Sequence, residues 1–275
     1  MNTLLLSELQ SKEKDLLQVL VLLEEHIFQE NHGEQLAIDN TLTLDGLETI
    51  IEQCQAVIAE VELNLEKAEI LLNELFFQHL FIDSHKSNWP INAFKVAASL
   101  NQRLMSPIVK ALLVCEIINA CGFSTDLVFV PNKVMVRLCC DDDYAIIFDA
   151  VTGESIDWYE LDSRLDELDN DPSQRGLTSM NQHAIIVEYL SGLKRTLIHE
   201  KAFDKALLCV DLLLSLTPDD PLQRRDRGFL LHQLDCFKVA VDDYRYFVEK
   251  CPKDPAAQLL KIQLDNITLR NPTFH

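Results

Sequence analysis

Thiols are the first side chains in this sequence to consider as nucleophiles or metal ligands. The eight cysteines are Cys54, Cys115, Cys121, Cys139, Cys140, Cys209, Cys236 and Cys251. No two of them have the Cys-x-x-Cys spacing of zinc sites and redox-active thiols. Six lie within apolar-periodic stretches, where a thiol behaves as a small buried hydrophobic group. We therefore expect reduced structural thiols, no metal, no cofactor and a cytoplasmic location.

The remaining polar candidates are isolated from one another in the sequence. The histidines show no spacing that would place two imidazoles of one helix on one metal ion. Asp141–Asp143 lacks the residue order of a calcium loop and is predicted to form a solvated turn. His85 lies in a polar segment and is predicted to be a solvated loop residue, with the lining of a groove as the alternative. Ser106 precedes Pro107 and is predicted to cap a helix with its hydroxyl.

The elements that must position these residues begin with helices and continue with strands. Apolar periodicity predicts helices over Lys14–Phe28, from Thr43 or Asp45 through Val61, over Leu65–Leu80, and over Ile108–Ala120. Asp83–Pro90 is a polar break, and Gly122 can terminate the fourth helix in a left-handed conformation. Three β-branched or aromatic runs follow, at Thr125–Val130, Val134–Cys139 and Tyr144–Phe148. This order predicts an α+β fold with a small antiparallel sheet packed against a helix.

The last ninety or so residues contain an internal repeat. Phe203–Ala206 recurs as Phe237–Ala240, and Thr217–Pro221 recurs as Cys251–Pro255, each with an offset of 34 residues. This period, with a helix-turn-helix pattern, is that of tetratricopeptide repeats. In this interpretation the alanines allow two helices to cross closely, and Gly228 permits a similar close contact. Pro218 and Pro252 end the second helix of each repeat.

The charge of the chain is unevenly distributed. Lys and Arg number 24 and Asp and Glu 44, a formal net charge of −20. Residues 182–275 carry 13 basic and 13 acidic side chains, so residues 1–181 carry 11 basic and 31 acidic ones. The sequence therefore predicts two domains, 1–181 and 182–275, with Leu161–His183 as the linker. Such an acidic surface argues against binding to nucleic acids or anionic membranes.

Several segments together resemble a known protein family. They are Arg103–Ala111, Pro131–Arg137, Phe148–Gly153, Asp226–Gly228, Leu234–Cys236 and Phe247–Pro255. The first three resemble the core of the transglutaminase-like fold, and the whole chain from about residue 15 to 267 resembles the bacterial SirB-type proteins. That resemblance implies a helical N-terminal region with a transglutaminase-like core of one helix and an antiparallel sheet, followed by an all-α tetratricopeptide array.

The resemblance also implies where a catalytic triad would lie. Active transglutaminase-like enzymes use a Cys nucleophile, a His base and an Asp that orients the imidazole. The corresponding positions of this chain hold Pro107, Lys133 and Asp149. Because proline has no nucleophilic atom, and lysine is a base only when strongly desolvated, we expect a degenerate site without catalytic residues.

Three functions are compatible with these residues. The first is a non-catalytic interaction or regulatory protein that binds a peptide or helix through its repeats. Its candidate partner-binding residues are Arg224, Arg225, Arg227, Lys238 and Arg245. The SirB-type resemblance implies an indirect effect on gene expression or virulence through proteins rather than DNA. The second is a cryptic hydrolase or acyl-transferase using Lys133 and Asp149, and the third is a structural subunit.

Overall fold

The computed structural model describes residues 15–28, 40–130, 133–157, 159 and 178–270. The chain divides into two compact units, residues 1–189 and 190–275, which are described separately below. The predicted linker over Leu161–His183 falls largely on residues 161–177, which lie outside the described residues. The proposed division at 181/182 stays a prediction.

The N-terminal helices agree with the apolar periodicity, with shifted ends. They are α1 (Leu16–Phe28), α2 (Asn40–Ile58) and α3 (Asn64–Asn73). The third helix is shorter than predicted, because its continuation, Glu74–Gln78, forms one wider π-helical turn. Leu80 then adopts a left-handed backbone conformation with φ of 58°, which ends the helical segment.

A short helical segment between residues 91 and 102 was not predicted. It comprises a 3₁₀ turn, Ile91–Phe94, and helix α4, Val96–Gln102. The buried carboxylate of Glu24 accepts a hydrogen bond at 3.0 Å from the backbone N–H of Val96, the first residue of α4. Burial raises the pKa of Glu24, although this hydrogen bond and the charge of Lys95 oppose the shift. Since this capping group lies 72 residues away, no local signal could have predicted the helix.

Helix α5 and a three-stranded sheet form the core of the first unit. Helix α5 (Pro107–Ala120) is buried on nearly every side and packs on α2 and on strands β1 and β2. The strands are β1 (Ser124–Val130), β2 (Lys133–Cys139) and β3 (Ala145–Asp149). They pair antiparallel in sequence order, which confirms the predicted sheet. Gly122 follows α5 with φ of 92°, as its predicted role as a helix terminator requires.

The second unit is an array of helices with the spacing that the repeat predicts. The helices are α6 (Gln182–His199, which begins in the first unit), α7 (Phe203–Leu216), α8 (Pro221–Gln233), α9 (Phe237–Lys250) and α10 (Pro255–Arg270). Ala206 and Ala240 are buried. A Cβ atom on Gly228 would lie 2.8 Å from the Tyr244 ring, so α8 and α9 approach closely at this glycine. The predicted all-α array is confirmed.

The repeat turns are completed by aspartates. Asp220 caps α8, since its carboxylate accepts hydrogen bonds from the backbone N–H groups of Leu222 and Gln223. Asp254 accepts a bond at 2.7 Å from the N–H of Ala256 in the first turn of α10. These carboxylates satisfy backbone donors that a helix start leaves without partners.

Candidate functional site

The candidate site of the first unit is centred on Asp149, the last residue of β3. Its side chain is only 2% exposed. One carboxylate oxygen, Oδ1, accepts the backbone N–H of Val151 at 2.8 Å. The other, Oδ2, contacts Nε2 of His85 at 2.8 Å and Nζ of Lys133 at 2.9 Å. Burial alone would raise the pKa of Asp149, but the bonds from Lys133, Val151 and His85 outweigh it and hold the pKa below its usual value.

Lys133 reaches Asp149 because of the strand register. It is the first residue of β2, and the adjacent antiparallel strand pairs Asp149 with Met135, two residues further along β2. Residues two apart on a strand point to the same face. The positions that the family resemblance assigned to the base and the orienting carboxylate therefore meet, as an ion pair. An ammonium group held by a carboxylate has no lone pair with which to accept a proton.

His85 is part of this site and is also partly solvated, as predicted. Its ring bonds to the carboxylate of Asp149 while 41% of its side chain stays exposed. Its partner lies 64 residues away, so no local pattern indicates this contact. The sequence offered one indication of a role for His85, namely its place in the polar break directly before the segments that resemble the transglutaminase-like core.

Lys110 supports the two segments that carry His85 and Asp149. Its side chain is fully buried in α5, and Nζ donates to the backbone carbonyls of Phe81, at 2.6 Å, and Val151, at 3.3 Å. Burial lowers the pKa of Lys110 to about 8, although the nearby carboxylates of Asp83 and Asp149 oppose the shift. This lysine was not singled out from the sequence, where it reads as one polar residue in an apolar helix.

Pro107, which the resemblance assigns to the nucleophile position, is the first residue of α5. Ser106 lies at the N-cap position with extended backbone, as expected. Its predicted capping bond is absent: the hydroxyl is buried and, among the described residues, has no hydrogen-bond partner. The prediction named the right position but the wrong interaction, since a serine there can cap only when its χ1 rotamer directs the hydroxyl toward the first turn.

Buried thiols provide no alternative nucleophile. Burial raises the pKa of Cys115 and of Cys121 to about 11, and those of Cys54 and Cys209 to about 12. Since the thiolate is the reactive form, the raised pKa values disfavour these four cysteines as nucleophiles at neutral pH.

The interactions of Asp149 make the stability of the first unit pH-dependent. Because its folded pKa lies below the unfolded value, the contribution is present at neutral pH and lost as the pH falls through the folded pKa. We expect Asp149→Asn to lower the free energy of unfolding by about 2 kcal/mol at pH 7 and by much less near pH 3. Urea unfolding of both proteins across this pH range measures the difference, with the exposed Asp142→Asn as the control. A difference independent of pH would contradict the assignment.

In the second unit, three of the five candidate partner-binding residues bond within the protein. Arg227 donates to both oxygens of Asp243 at 2.7 Å, and Arg224 donates to the same carboxylate at 3.1 Å. Arg225 pairs with Asp226 at 2.8 Å. Asp226 also accepts a bond at 2.6 Å from Lys194. Arg224 and Arg227 therefore connect α8 to α9, whereas the ion pair of Arg225 lies within α8. Binding of a partner by these three arginines stays a prediction.

The other two candidates, Lys238 and Arg245, lie on the exposed face of α9. They are seven residues apart, a spacing that puts both on one side of a helix. Arg245 makes only a loose ion pair with Asp242, at 3.7 Å. Phe237 and Val239, which are 50% and 52% exposed, flank Lys238. Basic and apolar groups thus share this surface.

The fold and the Asp149 centre define a transglutaminase-like domain followed by tetratricopeptide repeats. The family model for the transglutaminase-like superfamily matches residues 42–191, and a tetratricopeptide repeat model matches residues 193–265. Because the first match covers more than half of the chain, the chain belongs to the transglutaminase-like superfamily.

Within that superfamily the chain is similar to SirB-type bacterial proteins, which confirms the resemblance. It is 27% identical over 238 residues to Protein SirB1 of Salmonella typhimurium, covering 84% of this chain and 87% of that protein. It is 33% identical over 180 residues to a UPF0162 protein of Vibrio cholerae, covering 64% and 66% of the two chains. It is also 33% identical over 152 residues to UPF0162 protein YchA of Escherichia coli K12, covering 54% and 56%.

The aligned segments span less than two thirds of the Vibrio and Escherichia relatives. No solved structure gives a significant match. In the described part of the chain, every helix is too short or too polar to span a bilayer. Over the same residues, no group of three His, Cys, Asp or Glu side chains is arranged to hold a metal ion.

Proposed function

We propose that this SirB-type protein is a non-catalytic interaction protein whose transglutaminase-like domain has lost its chemistry. The observation that carries the proposal is the composition of the former triad. Pro107 occupies the nucleophile position, and Lys133, in the base position, forms an ion pair with Asp149. Neither residue can perform the step that its position requires in an active relative.

The tetratricopeptide unit supplies the binding function in this proposal. Repeats of this kind generally mediate protein–protein interaction, and residues 182–275 carry equal numbers of basic and acidic side chains, unlike the acidic N-terminal region. An acidic peptide or helix would be repelled less by this unit than by residues 1–181. An effect on gene expression would then act through protein partners.

The face around Lys238 and Arg245 is the part of this unit best suited to such a partner. Arg224 and Arg227 are less suited, because they already neutralise the buried carboxylate of Asp243. Exposed cations next to exposed apolar side chains provide both steering and buried area for an amphipathic acidic segment.

Charge reversal on this face tests the proposal. We expect the double variant Lys238→Glu/Arg245→Glu to capture about tenfold less of its principal partners from bacterial lysate, because each new carboxylate repels an acidic ligand. Quantitative mass spectrometry of proteins retained on the immobilised full chain measures the loss. Lys253→Glu/Lys261→Glu, which changes the same charge at exposed positions, serves as the control. Equal losses with both variants would contradict a specific site on α9.

A cryptic hydrolase is the second candidate, and the contact between His85 and Asp149 favours it. An imidazole that is oriented by a carboxylate can act as a general base, and the half-exposed ring of His85 can reach a water molecule. Incubation of the purified chain with acyl donors, followed by intact mass spectrometry and product analysis, tests it. The interaction proposal predicts neither a covalent adduct nor hydrolysis above that of His85→Gln.

A further inference from the structure

Several basic side chains of the acidic N-terminal region lie around the Asp149 centre. Residues 1–181 contain only 11 basic side chains against 31 acidic ones. Three of the 11, namely Lys86, Lys110 and Lys133, belong to one connected group with His85. A fourth, Arg103, stacks on the ring of Phe81, with its guanidinium carbon 5.3 Å from the ring centre.

Backbone and side-chain bonds connect this group. Lys110 donates to the carbonyls of Phe81 and Val151. The backbone N–H of Asp83 also donates to the Val151 carbonyl, at 3.0 Å. The carboxylate of Asp83 in turn binds Lys86 at 2.7 Å. The cations and both carboxylates therefore occupy one region.

The carboxylates of this region do not balance its cations. Asp83 bonds to Lys86, and Asp149 bonds to Lys133 and His85. Among the described residues, the bonds of Lys110 go to neutral carbonyls, and the Nη1 group of Arg103 donates to the carbonyl of Leu100. A buried ammonium without a carboxylate of its own is costly. When His85 is protonated, the cations Lys86, Lys110, Lys133 and His85 face the carboxylates of Asp83 and Asp149, an excess of two positive charges.

Two groups of the cluster present this charge at the surface. The side chain of Asp149 is 2% exposed, whereas those of Lys133 and His85 are 26% and 41% exposed. Lys133 has three N–H donors, and the bond to Asp149 uses one of them. Because both nitrogens contact the same oxygen, one ligand with several oxygens can reach both side chains.

We propose that Lys133 and His85 form a binding site for a phosphate-type dianion at the degenerate centre. A dianion supplies the two missing negative charges, whereas a carboxylate supplies one. Lysine ammonium groups act as compact point charges in phosphate sites, without the planar fork that favours carboxylates at arginine. The site lies in the first unit and does not depend on partner binding by the repeats.

Calorimetric titration of the full chain with inorganic phosphate at constant ionic strength tests this site. We expect Lys133→Met to weaken binding about tenfold or more, because it removes one charge-assisted hydrogen bond. Lys133→Arg, which keeps the charge, is expected to restore most of the affinity. Lys67→Met, which removes a positive charge from helix α3, is the matched control and is expected to bind as the wild type does.

Two further ligands define the chemical class. Acetate is expected to bind more weakly than phosphate, and O-phosphoserine distinguishes a preference for phosphate monoesters from one for free phosphate. Circular dichroism confirms that each variant is folded, and His85→Gln gives a second, independent loss of affinity. Failure of the wild type to bind phosphate or O-phosphoserine at millimolar concentration, equal binding by Lys133→Met, or equal affinity for acetate would overturn the proposal.

Discussion

Replacing Asp243 with alanine is expected to lower the free energy of unfolding of residues 190–275 by about 3 kcal/mol. The Asp243 side chain is 2% exposed and accepts bonds from both Arg224 and Arg227. Without this carboxylate, Arg224 and Arg227 of α8 lose their common partner on α9, and their two partly buried positive charges repel each other. Asp211, which lies 3.7 Å from Arg227, is the remaining carboxylate near this arginine.

The neighbouring residue provides a matched control for this variant. Asp242 is 75% exposed, and its ion pair with Arg245 is loose, at 3.7 Å. Asp242→Ala is therefore expected to change the free energy of unfolding by less than about 0.5 kcal/mol. Hydrogen exchange of helices α8 and α9, followed by mass spectrometry, measures both effects in the full chain. Similar protection in the two variants would show that the buried pair contributes little.

The second large effect is expected at Gly153, in the turn after β3. Its φ is 76°, and an added Cβ would lie 2.5 Å from Cγ of Phe76. Phe76 is buried and packs edge to face on Phe148, so its ring has little room to move. Strain and overpacking together predict that Gly153→Ala lowers the free energy of unfolding by about 3 kcal/mol, measured by urea titration.

Gly122 separates the two contributions. It also has a positive φ, of 92°, but an added Cβ would have no atom within 4 Å. Gly122→Ala is therefore expected to cost only the backbone strain, about 1 kcal/mol. If the two variants were equally destabilised, the contact with Phe76 would have no energetic role.

The parts of the fold that sequence predicted are those determined by local pattern. Runs of β-branched and aromatic residues located the three strands, and the repeat with its offset of 34 residues located the repeat helices and the close contact at Gly228. The pairing of Lys133 with Asp149 was implied by the family resemblance, because the register of an antiparallel sheet brings those positions together.

The parts that sequence did not predict depend on contacts between distant residues. Helix α4 is capped by Glu24, and His85 bonds to a carboxylate 64 residues away. Lys110 looks unremarkable in a helical pattern, yet its ammonium is fully buried. Ser106 shows the converse case, since a favourable local pattern did not produce the capping bond. Local propensity is overridden wherever tertiary contacts supply or withhold a partner.

The carbonyl of Val151 receives both Lys110 and the backbone N–H of Asp83, which has a consequence for the order of events during translation. Residue 83 leaves the ribosome 68 residues before residue 151. At about 5–20 residues per second, the nascent segment around His85 waits roughly 3 to 14 s for the turn that anchors it. The imidazole is thus synthesised well before its carboxylate and can be held in place only after β3 has emerged.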